Sequence, residues 1–206
     1  MKKILFAVLA VSLILVVAGC GSSSHGPSSI VTQILSDPAN DGDIEHTVGN
    51  SFVVTRGNPG SVFVGVDPVT GSEFRTFLDF PLTGTGGVPG NAIIDTATLD
   101  IYLISSSSIP LRLDLVSYPP QTLQASDYDT ALLLPLATKT SFSLASDAGR
   151  HVTFDVTNLM VQAQLSGVSN FQIRILEDLV SNAPTGLIQI DDSTNLRAPL
   201  LEVVYH

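Results

Sequence analysis

A chain of 206 residues with 44% apolar side chains carries enough material for one domain with a full core, or two small ones. Charged residues make up 14%, and the balance of 9 basic against 19 acidic groups gives −10, which repels polyanions and excludes nucleic acid as a main partner. A single cysteine rules out a disulfide framework and any Cys-rich zinc site.

The chain opens on Met1-Lys2-Lys3, a short positive region, followed by an almost wholly apolar run from Ile4 to Val17 and the small residues Ala18 and Gly19. This pattern reads as a secretory signal peptide over 1–19, too short and wrongly flanked for a stable transmembrane helix. Cys20 follows at once, and Val17-Ala18-Gly19-Cys20 resembles the bacterial lipobox. That resemblance implies cleavage before Cys20, lipidation of its thiol and, with Gly21 rather than Asp next, sorting to the outer membrane of a two-membrane cell. Acyl chains contribute about 0.8 kcal/mol for each buried CH₂, so several of them anchor a protein firmly. Loss of 1–19 removes Lys2 and Lys3 and no acid, taking the exported chain from −10 to −12. Residues 20–29, rich in Ser and Gly, read as a flexible tether in which His25 is simply solvated.

From Ile30 to the end at 206 the dominant hydrophobic period is two. Glu73–Phe80, Ala97–Leu103, Leu111–Leu115, Val152–Val156 and Phe171–Ile175 alternate apolar and polar residues, as half-buried antiparallel strands require. Shorter apolar runs lie at Phe52–Thr55, Ser61–Val66, Leu187–Ile190 and Leu200–Tyr205. One segment, Thr157–Gly167, has helical spacing, with Leu159, Ala163 and Met160 on one side and a Gly to end it. Nine or ten strands with one short helix predict an all-β domain over 30–206, a two-sheet antiparallel β-sandwich of jelly-roll type. Asp79, Asp100, Asp114 and Asp155, each between apolar neighbours, read as a solvated sheet face.

Four blocks carry a family likeness: Glu73–Leu82 (EFRTFLDFPL), Ala92–Leu103 (AIIDTATLDIYL), Val152–Leu159 (VTFDVTNL) and Pro199–Tyr205 (PLLEVVY). In this order they resemble the DNRLRE-domain family, grouped with carbohydrate-binding modules of secreted and surface bacterial proteins. The chain departs from the family's common pattern in having no Trp, and the region Tyr118–Thr140 offers no match. Together with the lipobox, the resemblance implies a non-catalytic, lipid-anchored cell-envelope module for recognition or adhesion, with glycan as the implied ligand. The alternatives are a structural envelope protein packed against a protein partner, and an unrecognised secreted hydrolase.

The chemistry-bearing residues are sparse. Ser-His-Asp catalysis needs a His between a carboxylate and a nucleophile; His46 and His151 are available, no Gly-x-Ser-x-Gly elbow exists, and His151 reads as an exposed strand residue. Sugar binding needs flat aromatic faces beside hydrogen-bonding groups. Tyr102, Tyr118 and Tyr128, with Arg112 and Arg150, are the available ligand contacts. Hard-cation sites need clustered oxygens on a bendable loop. Asp37, Asp41, Asp43 and Glu45 surround Gly42, and Asp191 and Asp192 head a second cluster that runs to Asn195. The two clusters can meet if the first and last strands lie together, which makes them candidates for a structural Ca²⁺; as turn residues they also have a plain conformational use.

Overall fold

The computed structural model describes residues 28–178, 185–193 and 196–206. The segment 1–19, Cys20, His25 and most of the tether lie outside the described residues, as do Thr194 and Asn195.

Twelve strands, one α-helix and a 3₁₀ turn make up the described residues. The strands are β1 (Ile30–Leu35), β2 (Gly42–His46), β3 (Phe52–Arg56), β4 (Gly60–Val66), β5 (Glu73–Pro81), β6 (Ile94–Ser105), β7 (Pro110–Val116), β8 (Ala137–Ser143), β9 (Arg150–Asp155), β10 (Asn170–Glu177), β11 (Leu187–Asp192) and β12 (Leu200–Tyr205). The helix α1 (Thr157–Leu165) joins β9 to β10, and the 3₁₀ turn covers Ala125–Tyr128. The all-β class expected from the alternation is therefore present. Three strands lie outside the runs singled out in the sequence: β1 (IVTQIL) pairs its apolar residues instead of alternating them, and β2 and β8 carry still less signal. β2 (GDIEH) has the Asp and Gly of a turn, and β8 (ATKTSFS) has too few apolar residues to alternate visibly.

Every pairing is antiparallel, and the strands form one hydrogen-bonded path, β1-β12-β6-β11-β4-β5-β10-β7-β8, with β9 on β6 and the β2-β3 hairpin on β5. The path curls, because side chains from both of its halves enter a single core: Leu99, Ile101 and Leu201 from one, Leu78, Leu113 and Phe171 from the other, all at 0–1% exposure. Each such side chain contributes about 1.5–3 kcal/mol on burial. Leu159, Met160 and Ala163 seat α1 on this core. Asp155 Oδ1 accepts from Thr157 N at 3.0 Å at the helix start, and Gly167 leaves it at φ +65°.

A second cluster lies on the opposite face of β2, β5 and β7, where Ile44, Phe77 and Val116 meet Tyr118, Leu123 and Tyr128. The segment 117–136 closes over that face. Three cations hold it down, buried Arg174, half-buried Arg75 and exposed Arg56: Arg174 donates to Asp127 O at 3.1 Å, Arg75 to Tyr128 O at 2.5 Å, and Arg56 to Gln121 O and Leu123 O at 2.9 and 3.1 Å. This covering corrects the solvated-face expectation for Asp79 and Asp114, both at 0% exposure. Asp114 pairs with Arg174 and Thr138, while Asp79 accepts from the side-chain amides of Asn170 and Gln172, both at 2.6 Å. Asp155 stays exposed, as expected, and Asp100 is half-buried.

Candidate functional site

The outer face of β1-β12-β6-β9 carries the first candidate site. Register sets its rows: Leu35 opposite Leu200, Leu200 opposite Asp100, Gln33 opposite Glu202, and Tyr102 opposite His151. On the diagonal of that last pair, His151 Nδ1 lies 3.0 Å from Asp100 Oδ1, and in such a pair the imidazole donates. The edge of the His151 ring meets Tyr102 with centroids 5.1 Å apart. The Arg197 guanidinium stands 4.3 Å over the Tyr102 ring, within the range of a cation–π contact. Gln33 Nε2 donates to Glu202 at 2.8 Å.

An open groove of about 370 Å³ runs here, lined by Gln33, Leu35, Asp100, His151, Leu196, Ala198 and Leu200. Its lining joins aliphatic side chains to hydrogen-bonding groups, the mixture that small polar ligands with apolar faces need. The described lining includes an Asp–His pair and no hydroxyl or thiol. The sequence supplied Tyr102 for this surface, and His151 as an exposed residue. Gln33, Asp100 as the partner of His151, and Arg197 were missed. Arg197 sits in a loop with no periodicity to point it anywhere.

The remaining expected ligand contacts do not join this surface. Tyr118 and Tyr128, at 6% and 7% exposure, turn inward from the segment 117–136 onto Ile44, Phe77 and Val116, so they form no exposed platform. Burial pushes the Tyr128 hydroxyl above its ordinary value, with Glu73 adding to the effect, and the Arg75 guanidinium rests 3.8 Å over its ring. Arg112 turns onto Asp114, its Nε 3.1 Å from Oδ1. Arg150, opposite the core residue Leu103, pairs with Asp147 at the end of β9.

The acidic clusters do meet. Residues 36–41 carry the chain from β1 across to β2, and this crossover is tied down by Asp37 N donating to Asp79 O at 2.8 Å and Asp79 N donating to Asp41 Oδ1 at 2.6 Å. β11 brings Asp192 to the same place, where its carboxyl faces that of Asp41. Burial, then the Asp192 charge, raises Asp41 well above the usual carboxylate range. Burial lifts Asp192 to about 6, and the charges of Asp191 and Asp37 add to it. Two carboxyls can hydrogen-bond each other only when one holds a proton.

The other members of the set are engaged elsewhere. Asp43 turns to β4 and accepts from Phe63 N at 3.0 Å, and burial still pushes it up to about 6. Asp191 accepts from Ser193 N at 3.0 Å. Asp37 caps its own turn through Ala39 N and Asn40 Nδ2, both at 3.0 Å. Glu45 is half-buried on β2, two residues beyond Asp43. Among the described residues no three His, Cys, Asp or Glu side chains are grouped to hold a metal.

No protein-family model matches the chain, and no curated protein matches it. No helix among the described residues is long and apolar enough to cross a membrane.

Proposed function

We propose that this protein is a non-catalytic, lipid-anchored binding module of the bacterial cell envelope, of the DNRLRE type, that holds a glycan in the groove beside Tyr102. In this reading the curled antiparallel path is a two-sheet jelly-roll sandwich, and β4 and β11 form the margin its two halves share. Cys20 carries the acyl chains, and residues 20–29 hold the domain off the membrane surface.

The observation that supports glycan binding is the Asp100–His151 pair lining an open groove, with Tyr102 set against the His151 ring beside it. Sugar C–H faces pack on aromatic and aliphatic surface, while hydroxyls need donors and acceptors in fixed positions. Leu35, Leu196 and Leu200 supply the first requirement, and Asp100, His151 and Gln33 the second. An open groove on a sheet face takes a polymer side-on. With −12 on the exported chain, a neutral glycan is the favoured class.

Affinity electrophoresis through gels containing soluble neutral or acidic polysaccharides tests this reading. Retardation by a neutral polymer is expected, weakened at least ~10-fold by Tyr102→Ala and by His151→Ala, and kept by Arg150→Ala. No retardation in any gel would overturn it.

A second reading, packing against an envelope protein, has support of its own. Leu132, Leu134 and Leu136 stand 71%, 68% and 40% exposed on one loop, an apolar strip of the kind that marks protein contacts. Crosslinking from this loop on intact cells, with recovery of one dominant partner, would favour it.

A further inference from the structure

We propose that the β1–β2 crossover holds a divalent cation of the calcium class, bound between Asp41 and Asp192 with the side-chain carbonyl of Asn40. The acids that the sequence brings to this region divide into two kinds. Asp37, Asp43, Asp79 and Asp191 all accept hydrogen bonds from backbone or amide donors. Asp41 and Asp192 keep orphaned oxygens: Asp192 is 2% exposed and neither of its oxygens, nor Asp41 Oδ2, accepts from a backbone, amide or hydroxyl donor, so the two carboxyls face only each other.

Asn40 supplies the independent observation. Its Nδ2 donates to Asp37 Oδ2, which leaves the neutral Oδ1 buried in the crossover with no partner, on a residue 6% exposed. The Ser36 hydroxyl lies against Asp41 and meets no full hydrogen-bond geometry of its own. Buried oxygens without donors carry a desolvation cost that nothing in the protein offsets. A divalent cation offsets it for all of them together.

The donor set selects the ion. Two carboxylates balance a charge of +2, and an amide carbonyl with water or backbone oxygens completes an irregular all-oxygen shell, which Ca²⁺ accepts. Mg²⁺ demands octahedral geometry and keeps its waters. Zinc sites draw on His and Cys, which this donor set lacks. Such an ion would pin the first crossover of the domain to β11.

The test uses the full chain in detergent, with the metal alone as probe. Millimolar CaCl₂ is expected to raise Tm over EDTA by roughly 5–10 °C for a domain of this size, with MgCl₂ giving a smaller rise. Asp192→Asn should fold, retain its EDTA Tm or exceed it, and lose the calcium response. Tb³⁺ should show emission excited through tyrosine, because Tyr118 lies within electrostatic reach of Asp41, and Ca²⁺ should quench that emission by competition. Equal Tm in CaCl₂ and EDTA, together with no Tb³⁺ emission, overturns the proposal. A full calcium response in Asp192→Asn also overturns it, since the ion would then bind elsewhere. Should that variant fail to fold, Asn40→Ala and the wild-type Tb³⁺ titration carry the decision. None of these readouts involves glycan, so failure here leaves the groove reading standing.

Discussion

Arg174 and Asp114 form an ion pair with Nη2 and Oδ2 2.8 Å apart, and both side chains are 0% exposed. They sit on neighbouring strands, opposite each other in the β10–β7 register, beneath the segment 117–136. Burial lowers the Arg174 pKa and the Asp114 carboxylate works against that. The Arg174 guanidinium also reaches Asp127 O, so one cation joins the sheet to the segment that covers it.

Removing one partner strands the other charge in the interior. Asp114→Ala is expected to destabilise the domain by about 3–5 kcal/mol, read from urea unfolding midpoints at constant m-value. Half-buried Asp147→Ala, whose partner Arg150 is solvated, is expected to cost about 1 kcal/mol or less. Equal effects of the two would contradict the account of segment 117–136 as a cover.

Gly42 is required by close approach in the β2–β3 hairpin. A Cβ there would stand 2.1 Å from the Thr55 carbonyl oxygen, and backbone cannot step aside cheaply. Gly42→Ala is expected to destabilise by roughly 1–3 kcal/mol, while Gly90→Ala, with open space around it, is expected to be neutral. Thermal melts of the two variants side by side check this.

Acid is expected to stabilise the metal-free protein over part of the pH range. Burial pushes Asp43 up to about 6 and raises Asp79 and Glu177 above their ordinary values. The native state therefore holds these protons more tightly than the unfolded chain, and stability falls as pH rises through the native pKa values. The gain is complete only below the unfolded carboxyl range near pH 4. In EDTA, Tm at about pH 5.5 should exceed Tm at about pH 7.5; the reverse order would show that these carboxyls are not buried as described.

The proposed anchor makes its own prediction. Cys20→Ser should abolish incorporation of labelled fatty acid into the protein, because a hydroxyl cannot take the thioether-linked lipid. Equal labelling of the variant and the parent protein would contradict lipidation at Cys20.

Much of this molecule is written locally. Alternation along Glu73–Phe80, Ala97–Leu103 and Phe171–Ile175 assigns strand and inward face, because successive side chains in a strand point to opposite sides. Helical spacing did the same for Leu159, Met160 and Ala163. Such patterns separate one face from the other and say nothing of what covers either. Asp79, Asp100, Asp114 and Asp155 look alike in the sequence, each a polar residue on the second face of an alternating strand. Tertiary structure separates them. Segment 117–136 closes over Asp79 and Asp114 and forces them to find partners, while Asp100 stays open to join His151.

The cation site divides in the same way. Composition and turn chemistry brought Asp41 and Asp192 forward as oxygen-rich residues, along with four other acids. Which two would lose their water and find no donor was decided by the crossover from β1 to β2 meeting the end of β11. Contacts between residues so far apart in the chain depend on the curl of the whole sheet, and no local period carries that information.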